Sequence, residues 1–276
     1  MAARENDTEN MEIDMLLAGI RRRYGYDFTN YAQASLKRRL TRAREKANLP
    51  HFTALLDHLF HDERYFDEFL RQMSVTVTEM FRDPLFYKAA REKVVPVLKT
   101  FPFAKIWHAG CATGEEVYSM AMLLQEEGFL DRARIYATDF NKHSLDAAEK
   151  GIYALKNIKD AAENYRTAGG AHDFADHVST SYEFIKFKDA LKERITFSYH
   201  NLVTDGVFGE MNLICCRNVL IYFDKTLQNH VLSTFTQSLR HGGFLCLGNK
   251  ETLNYTAVRG LFEPVDAKQR IYRKIG

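Results

Sequence analysis

A glycine turn is the feature of this 276-residue sequence most able to bind a cofactor. The stretch Trp107–Glu116 reads as an apolar strand, a turn of the form Gly110-x-x-x-Gly114 and an acidic helix start. Such a turn is expected to bare backbone amides to an anionic or carboxylate-bearing ligand. The third glycine of a dinucleotide fingerprint is absent, and so is the Lys-Ser/Thr pair of a triphosphate loop. The pattern therefore predicts a nucleoside cofactor with a small charged tail, and S-adenosylmethionine fits that description.

Polar residues also follow the apolar runs that come after this turn in the sequence. Asp139 comes directly after the second run, where an acidic residue accepts hydrogen bonds from ribose hydroxyls; a helix N-cap before Ser144 is the alternative. Glu116, in the first turn of a helix, would favour the helix dipole and could also contact the cofactor. Asn201 and Leu202 follow the third run and could frame an adenine, with hydrogen-bonding groups from one and an apolar face from the other.

The run Cys216-Arg217-Asn218-Val219-Leu220-Ile221-Tyr222-Phe223-Asp224 is a more specific pattern. A buried strand that ends in Arg-Asn puts polar groups at the carboxyl edge of a sheet, where open α/β folds bind ligands. From its surroundings alone, Tyr222 is as readily an aromatic core residue as a functional one. Pro is absent after Asn218, which argues against the Asn/Asp-Pro-Pro-aromatic sequence of base-amino methylases.

The spacing of apolar residues divides the chain into two regions. From Ile13 to about Gln72 the apolar residues recur every three or four positions, which predicts four or five short helices. After Pro102 short apolar runs alternate with helical patterns, which predicts an α/β fold with a doubly wound, mostly parallel sheet and a closing antiparallel hairpin. The predicted strands are 105–109, 134–138, 195–199, 212–216 and 244–247, and the predicted helices are 116–127, 144–150 and 225–239.

These patterns predict four segments along the chain. Residues 1–10 are expected to be a disordered tail, and residues 11–74 a small all-α domain. Residues 75–102 are expected to form a linker and active-site segment. The α/β domain is expected to span 103–276, and residues 155–190 within it could form a small β insertion.

Bulk composition excludes several classes of protein. The formal net charge of +2 is close to neutral, so no general affinity for nucleic acid is expected. No apolar run is long enough to cross a bilayer, and residues 1–10 are polar, without a signal-peptide core. A cytoplasmic protein without membrane insertion is expected. The sequence leaves the oligomeric state open, with a monomer as the expectation.

The cysteines and histidines do not form a metal-binding pattern. The four cysteines lie in or beside apolar segments without Cys-x-x-Cys spacing, so buried reduced thiols are expected. His58 and His61 could share a helix face, but a helical pair without a third ligand is rarely a metal site. No metal is expected. The cysteines are Cys111, Cys215, Cys216 and Cys246.

Several segments, taken in order, resemble the chemotaxis-receptor glutamate methyltransferases, the CheR family. They are Thr78-Glu79-Met80-Phe81-Arg82-Asp83, Gly110–Ser119, Ala137–Asp139, Cys216–Asp224 and Gly242–Glu251. The resemblance extends over nearly the whole chain. It implies a class I methyltransferase fold with an all-α N-terminal domain. It also implies methyl transfer from S-adenosylmethionine to glutamate side chains on the cytoplasmic helices of chemoreceptors, which yields methyl esters.

The resemblance also implies roles for individual residues. Arg82 and Tyr222 are the expected catalytic residues, at positions that face the reacting methyl group. Together with the turn and edge residues above, the expected cofactor contacts are Thr76, Thr78, Arg82, Gly110, Glu116, Asp139, Asn201, Leu202, Cys216, Arg217 and Asn218.

The sequence departs from the family pattern at four places. Thr76 stands where the family usually has Asn, and Met80 replaces the first residue of a Phe-Phe pair. Val117 replaces a Pro, and Lys250 replaces a Ser. No reacting group is lost, but these loops border the expected active site and bear on the choice of substrate.

A basic run, Lys37-Arg38-Arg39 with Arg42, Arg44 and Lys46, lies on a predicted helix. Such a run is usually a solvated face. The resembling family docks acidic receptor helices against its basic N-terminal helix, so Lys37, Arg38 and Arg42 are the expected docking residues. Two alternatives remain open: the same cofactor chemistry on another acceptor, and a module that binds the cofactor and regulates a partner without catalysis.

Overall fold

A computed structural model of the protein describes residues 2–74 and 78–276. Its contacts divide the chain into two units, which are called here the helical unit and the α/β unit. The helical unit comprises Met1–Val75 and Ile221–Gln228, and the α/β unit comprises Thr76–Leu220 and Asn229–Gly276. None of the helices in the described ranges is both long and apolar enough to cross a membrane.

The helical unit contains four helices from the N-terminal part of the chain. Leu16 and Ile20 of the first helix are fully buried, as the helical spacing of its apolar residues requires. The third and fourth helices each begin at a side-chain cap: the ring of His51 accepts from Ala54 N, and the carboxylate of Asp62 accepts from Arg64 N. The four helices are α1 (Ala2–Tyr24), α2 (Gln33–Lys46), α3 (Phe52–His61) and α4 (Glu63–Met73). Because α1 begins at Ala2, residues 2–10 are helical and not the disordered tail that was expected.

The α/β unit is built on a seven-stranded sheet of order β6-β2-β1-β7-β8-β10-β9. The five strands from β6 to β8 in that order are parallel, and β10 pairs antiparallel with both of its neighbours. The predicted doubly wound sheet with a closing antiparallel pair is confirmed. The strands are β1 (Ala104–Ala109), β2 (Ala133–Asp139), β6 (Ile195–Tyr199), β7 (Met211–Cys216), β8 (Leu239–Leu247), β9 (Phe262–Asp266) and β10 (Ile271–Lys274).

Helices follow the strands as the alternating pattern predicts. A proline inside the segment 84–98 explains a π-helical turn there, because Pro96 has no N–H to donate to the preceding turn. Helix α8 begins after Asn141, whose side chain accepts from the N–H groups of His143 and Ser144. The helices are α5 (Pro84–Ala89), α6 (Val95–Leu98), α7 (Glu115–Glu126), α8 (Lys142–Lys150), α9 (Ile158–Thr167), α10 (Asp189–Lys192) and α11 (Lys225–Ser238).

A second, three-stranded antiparallel sheet lies between α8 and β6 in the sequence. Its order is β3-β5-β4, with β3 at Ile152–Ala154, β4 at Val178–Ser181 and β5 at Phe184–Phe187. Ile185 and Phe187 of β5 are buried, whereas Phe184 is half exposed, as a strand with one solvated face requires.

A buried cluster of charged and polar side chains connects the segment that contains this second sheet to α7. The Glu126 carboxylate, 2% exposed, pairs with the Arg91 guanidinium at 2.7 Å and accepts a hydrogen bond from the Tyr165 hydroxyl. His177 Nε2 lies 3.5 Å from the same carboxylate. Burial by itself would raise the pKa of Glu126, but the hydrogen bonds from His177, Tyr165 and Arg91 outweigh it and lower this pKa to about 2.

The depressed pKa of Glu126 predicts a stability loss in acid. Because the folded-state pKa of about 2 lies below the usual 4.5, this carboxylate stabilises the fold above about pH 4.5. That contribution is lost as the pH falls toward 2. Over this range the free energy of unfolding should depend on pH more steeply in the wild type than in Glu126→Gln, by up to about 1.4 kcal/mol per pH unit. Urea unfolding at pH 2.5–6 measures both slopes.

The control is Glu149→Gln, which changes an exposed glutamate on α8. The free energy of unfolding of this variant should depend on pH as steeply as that of the wild type. Parallel pH dependences for the wild type and Glu126→Gln would contradict this account of the cluster.

Candidate active site

The glycine turn after β1 has the predicted shape, but its first amides are paired within the protein. Gly110 has φ +76°, and a Cβ at this position would lie 2.6 Å from Val219 Cγ2, so only glycine fits there. The Gly110 and Cys111 N–H groups both donate to the Thr138 carbonyl. The amides of this part of the turn are therefore paired within the protein. The expectation that they are bared to a ligand is wrong, because the neighbouring strand β2 already supplies their acceptors.

Asp139 ends β2 and closes the turn from the other side. Its carboxylate accepts from Ala112 N and from Asn141 N, at 2.9 Å each. Burial raises the pKa of Asp139 above its usual value, although the backbone donors oppose the shift. Asp139 is not the cap of the following helix, since Asn141 takes that role. Its carboxylate lies at the carboxyl end of β2, the position predicted for ribose binding.

Glu116 is held on both sides of its carboxylate. Oε1 lies 2.8 Å from His108 Nδ1 on β1, and Oε2 accepts from Arg217 at 3.0 Å. Burial would raise the pKa of Glu116, but the hydrogen bond from His108 and the charge of Arg217 lower it below its usual value. The Arg217 guanidinium also lies 4.1 Å from the ring centroid of Phe86. The first turn of α7 thus carries a largely buried, ionised carboxylate.

Arg217 also fixes the segment that contains Arg82. Its Nη2 donates to the Asp83 carboxylate at 2.8 Å and to the Arg82 carbonyl at 3.0 Å. Phe81 and Asp83, on either side of Arg82, both have positive φ, which costs roughly 1–3 kcal/mol for a residue other than glycine. The Ser119 hydroxyl accepts from Phe81 N at 2.9 Å. Contacts from β7 and α7 therefore hold a strained loop that presents Arg82.

The loop after β6 carries the predicted adenine contacts. Asn201 and Leu202 are both buried, at 6% and 8% exposure. The Asn201 side-chain oxygen accepts from Val203 N, so the NH₂ group is the side-chain donor that remains for a base edge. The loop adjoins Asp139, whose carbonyl accepts from His200 N.

The end of β7 is joined to the end of β8 by one buried carboxylate. Glu251, 4% exposed, accepts from Asn218 N and from Gly248 N. Asn218 has φ +62°, so the chain turns sharply where β7 ends. Cys216, the last residue of β7, is fully buried. The predicted residues 216–218 thus lie at the carboxyl edge of the sheet.

A cleft of about 210 Å³ lies beside the start of α7. Thr78 lines it together with Glu79, Glu115 and Tyr153. Burial raises the pKa of Glu115, although the Thr113 hydroxyl donates to it. Of the remaining predicted contacts in this segment, Thr76 lies outside the described residues.

The other predicted residues belong to the helical unit. Tyr222 lies in the segment 221–228, and Arg38 and Arg42 are exposed one turn apart on α2. Lys37 pairs with Glu9 of α1 at 3.3 Å, so its charge is partly neutralised. The exposed basic face of α2 is therefore formed by Arg38 and Arg42.

Comparison with known proteins adds to this geometry. Residues 76–271 match the family model of the CheR methyltransferase SAM-binding domain, and residues 11–74 match that of the CheR all-alpha domain. The chain belongs to the CheR methyltransferase family. A Pseudomonas putida protein assigned as the methyltransferase Cher3 is 47% identical over 98% of both chains. The chemotaxis protein methyltransferase of Listeria monocytogenes is 30% identical over 88% of this chain and 90% of its own. Chemotaxis protein methyltransferase 1 of Vibrio cholerae is 32% identical over 74% of each chain.

The cofactor of this CheR methyltransferase is S-adenosylmethionine, and the donor groups at the sheet edge fit it. Asp139 offers a carboxylate to ribose hydroxyls, and the Asn201–Leu202 loop offers a donor and an apolar face to adenine. Glu116 and Arg82 are further residues predicted to contact the cofactor. Glu116, Asp139 and Asn201 lie after β1, at the end of β2 and after β6, where the strand order reverses around β1.

One group of side chains has the composition of a metal site. Ligand atoms of His108, Glu116 and Cys215 lie within 4.8 Å of one another. Both oxygens of Glu116 are already hydrogen-bonded, and one partner is the Arg217 cation. A hydrogen bond with Cys246 and burial raise the pKa of the Cys215 thiol, which disfavours the thiolate that a metal requires. The group is better described as part of the ion network around Glu116.

Sequence reasoning missed three residues of this site. His108 lies in the middle of an apolar strand, and a buried polar side chain at such a position needs a partner. Asp83 lay within the quoted Thr78–Asp83 motif but was assigned no role. Glu251 ends one of the resembling segments without a predicted role. The partner lies 8 residues away for His108, 33 for Glu251 and 134 for Asp83, so the pattern of immediate neighbours reveals none of these contacts.

Removing Arg217 should destabilise the fold and weaken cofactor binding together. Arg217→Met leaves the partly buried Glu116 and Asp83 carboxylates without the cation they share, and because Arg217 is only 1% exposed the loss should exceed the roughly 1 kcal/mol of an exposed pair. Urea unfolding measures the loss, and calorimetry with S-adenosylhomocysteine measures the affinity. The matched control is Arg194→Met, which removes an exposed pair with Asp131 and should cost less than about 1 kcal/mol. Equal losses in the two variants would contradict the central position given to Arg217.

Proposed function

We propose that this protein transfers a methyl group from S-adenosylmethionine to glutamate side chains of chemoreceptors, as a protein-glutamate O-methyltransferase acting in the cytoplasm. The observation that carries the proposal is the fixed position of Arg82, held between two strained residues by Arg217. A cation held at the cofactor edge suits a reaction whose acceptor is a carboxylate. The names of the Listeria and Vibrio relatives support chemotaxis as the process.

The reaction requires little from the protein beyond positioning the methyl donor and the acceptor carboxylate. When bound, S-adenosylmethionine supplies an electrophilic methyl group, and its transfer to a carboxylate oxygen breaks the carbon–sulfur bond with the electron pair passing to sulfur. A glutamate carboxylate is already ionised at neutral pH, so no base is required. Alignment and exclusion of water can then supply about 7–11 kcal/mol of the acceleration.

Arg82 and Tyr222 are the residues proposed to act on the acceptor. Arg82 would hold one carboxylate oxygen, and the Tyr222 hydroxyl would orient the other oxygen or lie near the methyl group. Too strong an ion pair would stabilise the ground state, because only interactions that strengthen in the transition state accelerate the reaction. The two residues are therefore proposed to orient the acceptor and not to take its proton.

The outer face of α2 is the proposed docking surface for the receptor. Arg38 and Arg42 are both exposed, and neither takes part in an ion pair within the described part of the chain. Two such cations on one helix face suit an acidic partner helix. Methylation would then cancel negative charge on the packed receptor helices and shift a signalling equilibrium.

Arg82→Ala should separate catalysis from cofactor binding. Because Arg82 is proposed to orient the acceptor, its loss should lower kcat/KM at least about tenfold and weaken S-adenosylhomocysteine binding less than that. The assay uses methyl-labelled S-adenosylmethionine and a purified cytoplasmic fragment of a methyl-accepting chemotaxis protein, with calorimetry for affinity. Base-labile label on glutamate is the expected product.

Two results would overturn this function. Label on another residue type would show a different acceptor, and tight cofactor binding without any transfer to receptor fragments would indicate a regulatory module. If Arg82→Ala keeps full turnover but loses affinity for the cofactor, then Arg82 contacts only the cofactor and does not orient the acceptor.

Added salt should slow receptor methylation, because it screens the charges of Arg38 and Arg42 on the proposed docking surface. Raising the salt from about 0.05 M to 0.3 M should raise the KM for the receptor fragment several-fold and leave the affinity for S-adenosylhomocysteine nearly unchanged, since exposed charges are screened. Arg42→Ala should flatten the salt dependence of KM. Arg64→Ala, which removes an exposed arginine from α4 of the same unit, should not. An identical dependence in all three proteins would exclude this face as the docking site.

A further inference from the structure

The proposed catalytic tyrosine is supported by the helical unit. The segment 221–228 is grouped with Met1–Val75, although it lies more than 140 residues beyond it in the sequence. Ala32 N donates to the Tyr222 carbonyl at 2.9 Å, and Asp224 N donates to the Asn30 carbonyl at 2.9 Å. These two bonds form an antiparallel bridge in which Tyr31 lies opposite Phe223. Since Ala32 is the N-cap residue of α2, the backbone of Tyr222 is attached to the beginning of that helix.

The ring of Tyr222 is held by an arginine on the inner face of α2. The Arg39 guanidinium carbon lies 4.6 Å from the ring centroid, and the whole residue is 8% exposed. The same guanidinium donates to the Met73 carbonyl at 2.6 Å and to the Ser35 hydroxyl at 3.1 Å. A buried cation fixed by two hydrogen bonds is a rigid support for an aromatic face.

The hydroxyl of Tyr222 is not used to hold the ring. It makes no hydrogen bond with any residue in the described ranges, so the ring is placed by its backbone bridge and by Arg39. A hydroxyl left without an internal partner remains available to a substrate. Its position, however, then depends on the contact between the guanidinium and the ring.

We propose that Arg39 is a positioning residue for the methyl transfer, because it holds the Tyr222 ring from the inner face of α2. This inference rests on the proposed function. It gives α2 two tasks: its outer face carries Arg38 and Arg42 for docking, and its inner face places the tyrosine that meets the acceptor. The Met73 carbonyl, at the end of α4, joins the same contact.

A double-mutant cycle tests the inference. In the methylation assay with a chemoreceptor cytoplasmic fragment at saturation, Arg39→Met should lower kcat about tenfold with little change in KM for S-adenosylmethionine. Tyr222→Phe keeps the ring and removes the hydroxyl. If Arg39 acts through that hydroxyl, Arg39→Met should cost less than about twofold in the Tyr222→Phe protein, because effects on one shared interaction do not add.

Arg44→Met is the matched control. Arg44 lies on α2 with its guanidinium carbon 4.9 Å from the ring centroid of Phe52, so the variant removes a contact of the same kind away from Tyr222. It should leave kcat unchanged. If Arg39→Met fails to fold, as judged by thermal unfolding, Arg39→Lys replaces it. That variant keeps a cation but loses the forked pair of hydrogen bonds, and it should show a smaller loss of kcat that again vanishes in Tyr222→Phe.

The outcomes separate this inference from the proposed function. An equal loss from Arg39→Met in the wild-type and Tyr222→Phe proteins, or no loss in either, overturns the positioning role. If wild type transfers no methyl group to the fragment, or if Tyr222→Phe retains full kcat, the proposed function or the role of Tyr222 fails instead. In that case the contact between Arg39 and the Tyr222 ring can still be tested by the ¹⁹F resonance of 3-fluorotyrosine at position 222. This resonance should shift in Arg39→Met but not in Arg44→Met. An unchanged resonance in Arg39→Met overturns the contact itself.

Discussion

The buried ion pair between Arg217 and Glu116 is the constraint on which the ligand-binding edge of the α/β unit depends. Arg217 has a side chain only 1% exposed, and a cation at that depth must be surrounded by acceptors. Its acceptors come from the start of α7 and from the segment 82–83, which lie 101 and about 135 residues away in the sequence. One planar guanidinium therefore fixes the relative positions of β7, α7 and the loop of Arg82, and its rigid fork explains why arginine stands there.

The residues with proposed roles are found in both units. The α/β unit contains the carboxylates expected to bind the cofactor and the arginine expected to bind the acceptor, whereas the helical unit contains Tyr222 and the basic face of α2. Tyr222 reaches that unit through a chain segment that leaves the α/β unit after Leu220 and returns to it at Asn229. Within the helical unit, the inner face of α2 contacts the tyrosine proposed to act in the transfer.

Much of this architecture could be predicted from the sequence, and the failures have physical causes. Apolar periodicity located the parallel strands and the later helices within a few residues, and it predicted an antiparallel pair at the end of the chain. It missed β9, an edge strand whose Phe-Glu-Pro-Val-Asp sequence includes a proline and alternates poorly. The glycine turn was recognised, but its amides were assigned to a ligand because the pairing with Thr138 is a tertiary contact. The role of His108 depends on Glu116, beyond the glycine turn, and that of Arg39 on Tyr222, which is distant in sequence; the local pattern of either residue does not reveal its partner.

A crystal structure of the protein with S-adenosylhomocysteine tests the central claim most directly. The account predicts the ribose hydroxyls within hydrogen-bonding distance of the Asp139 carboxylate, the adenine against Asn201 and Leu202, and the amino-acid tail beside Glu116 and Arg82. The Arg217 contacts should be unchanged. A nucleoside bound elsewhere, with Asp139 still engaged only by Ala112 and Asn141, would contradict it.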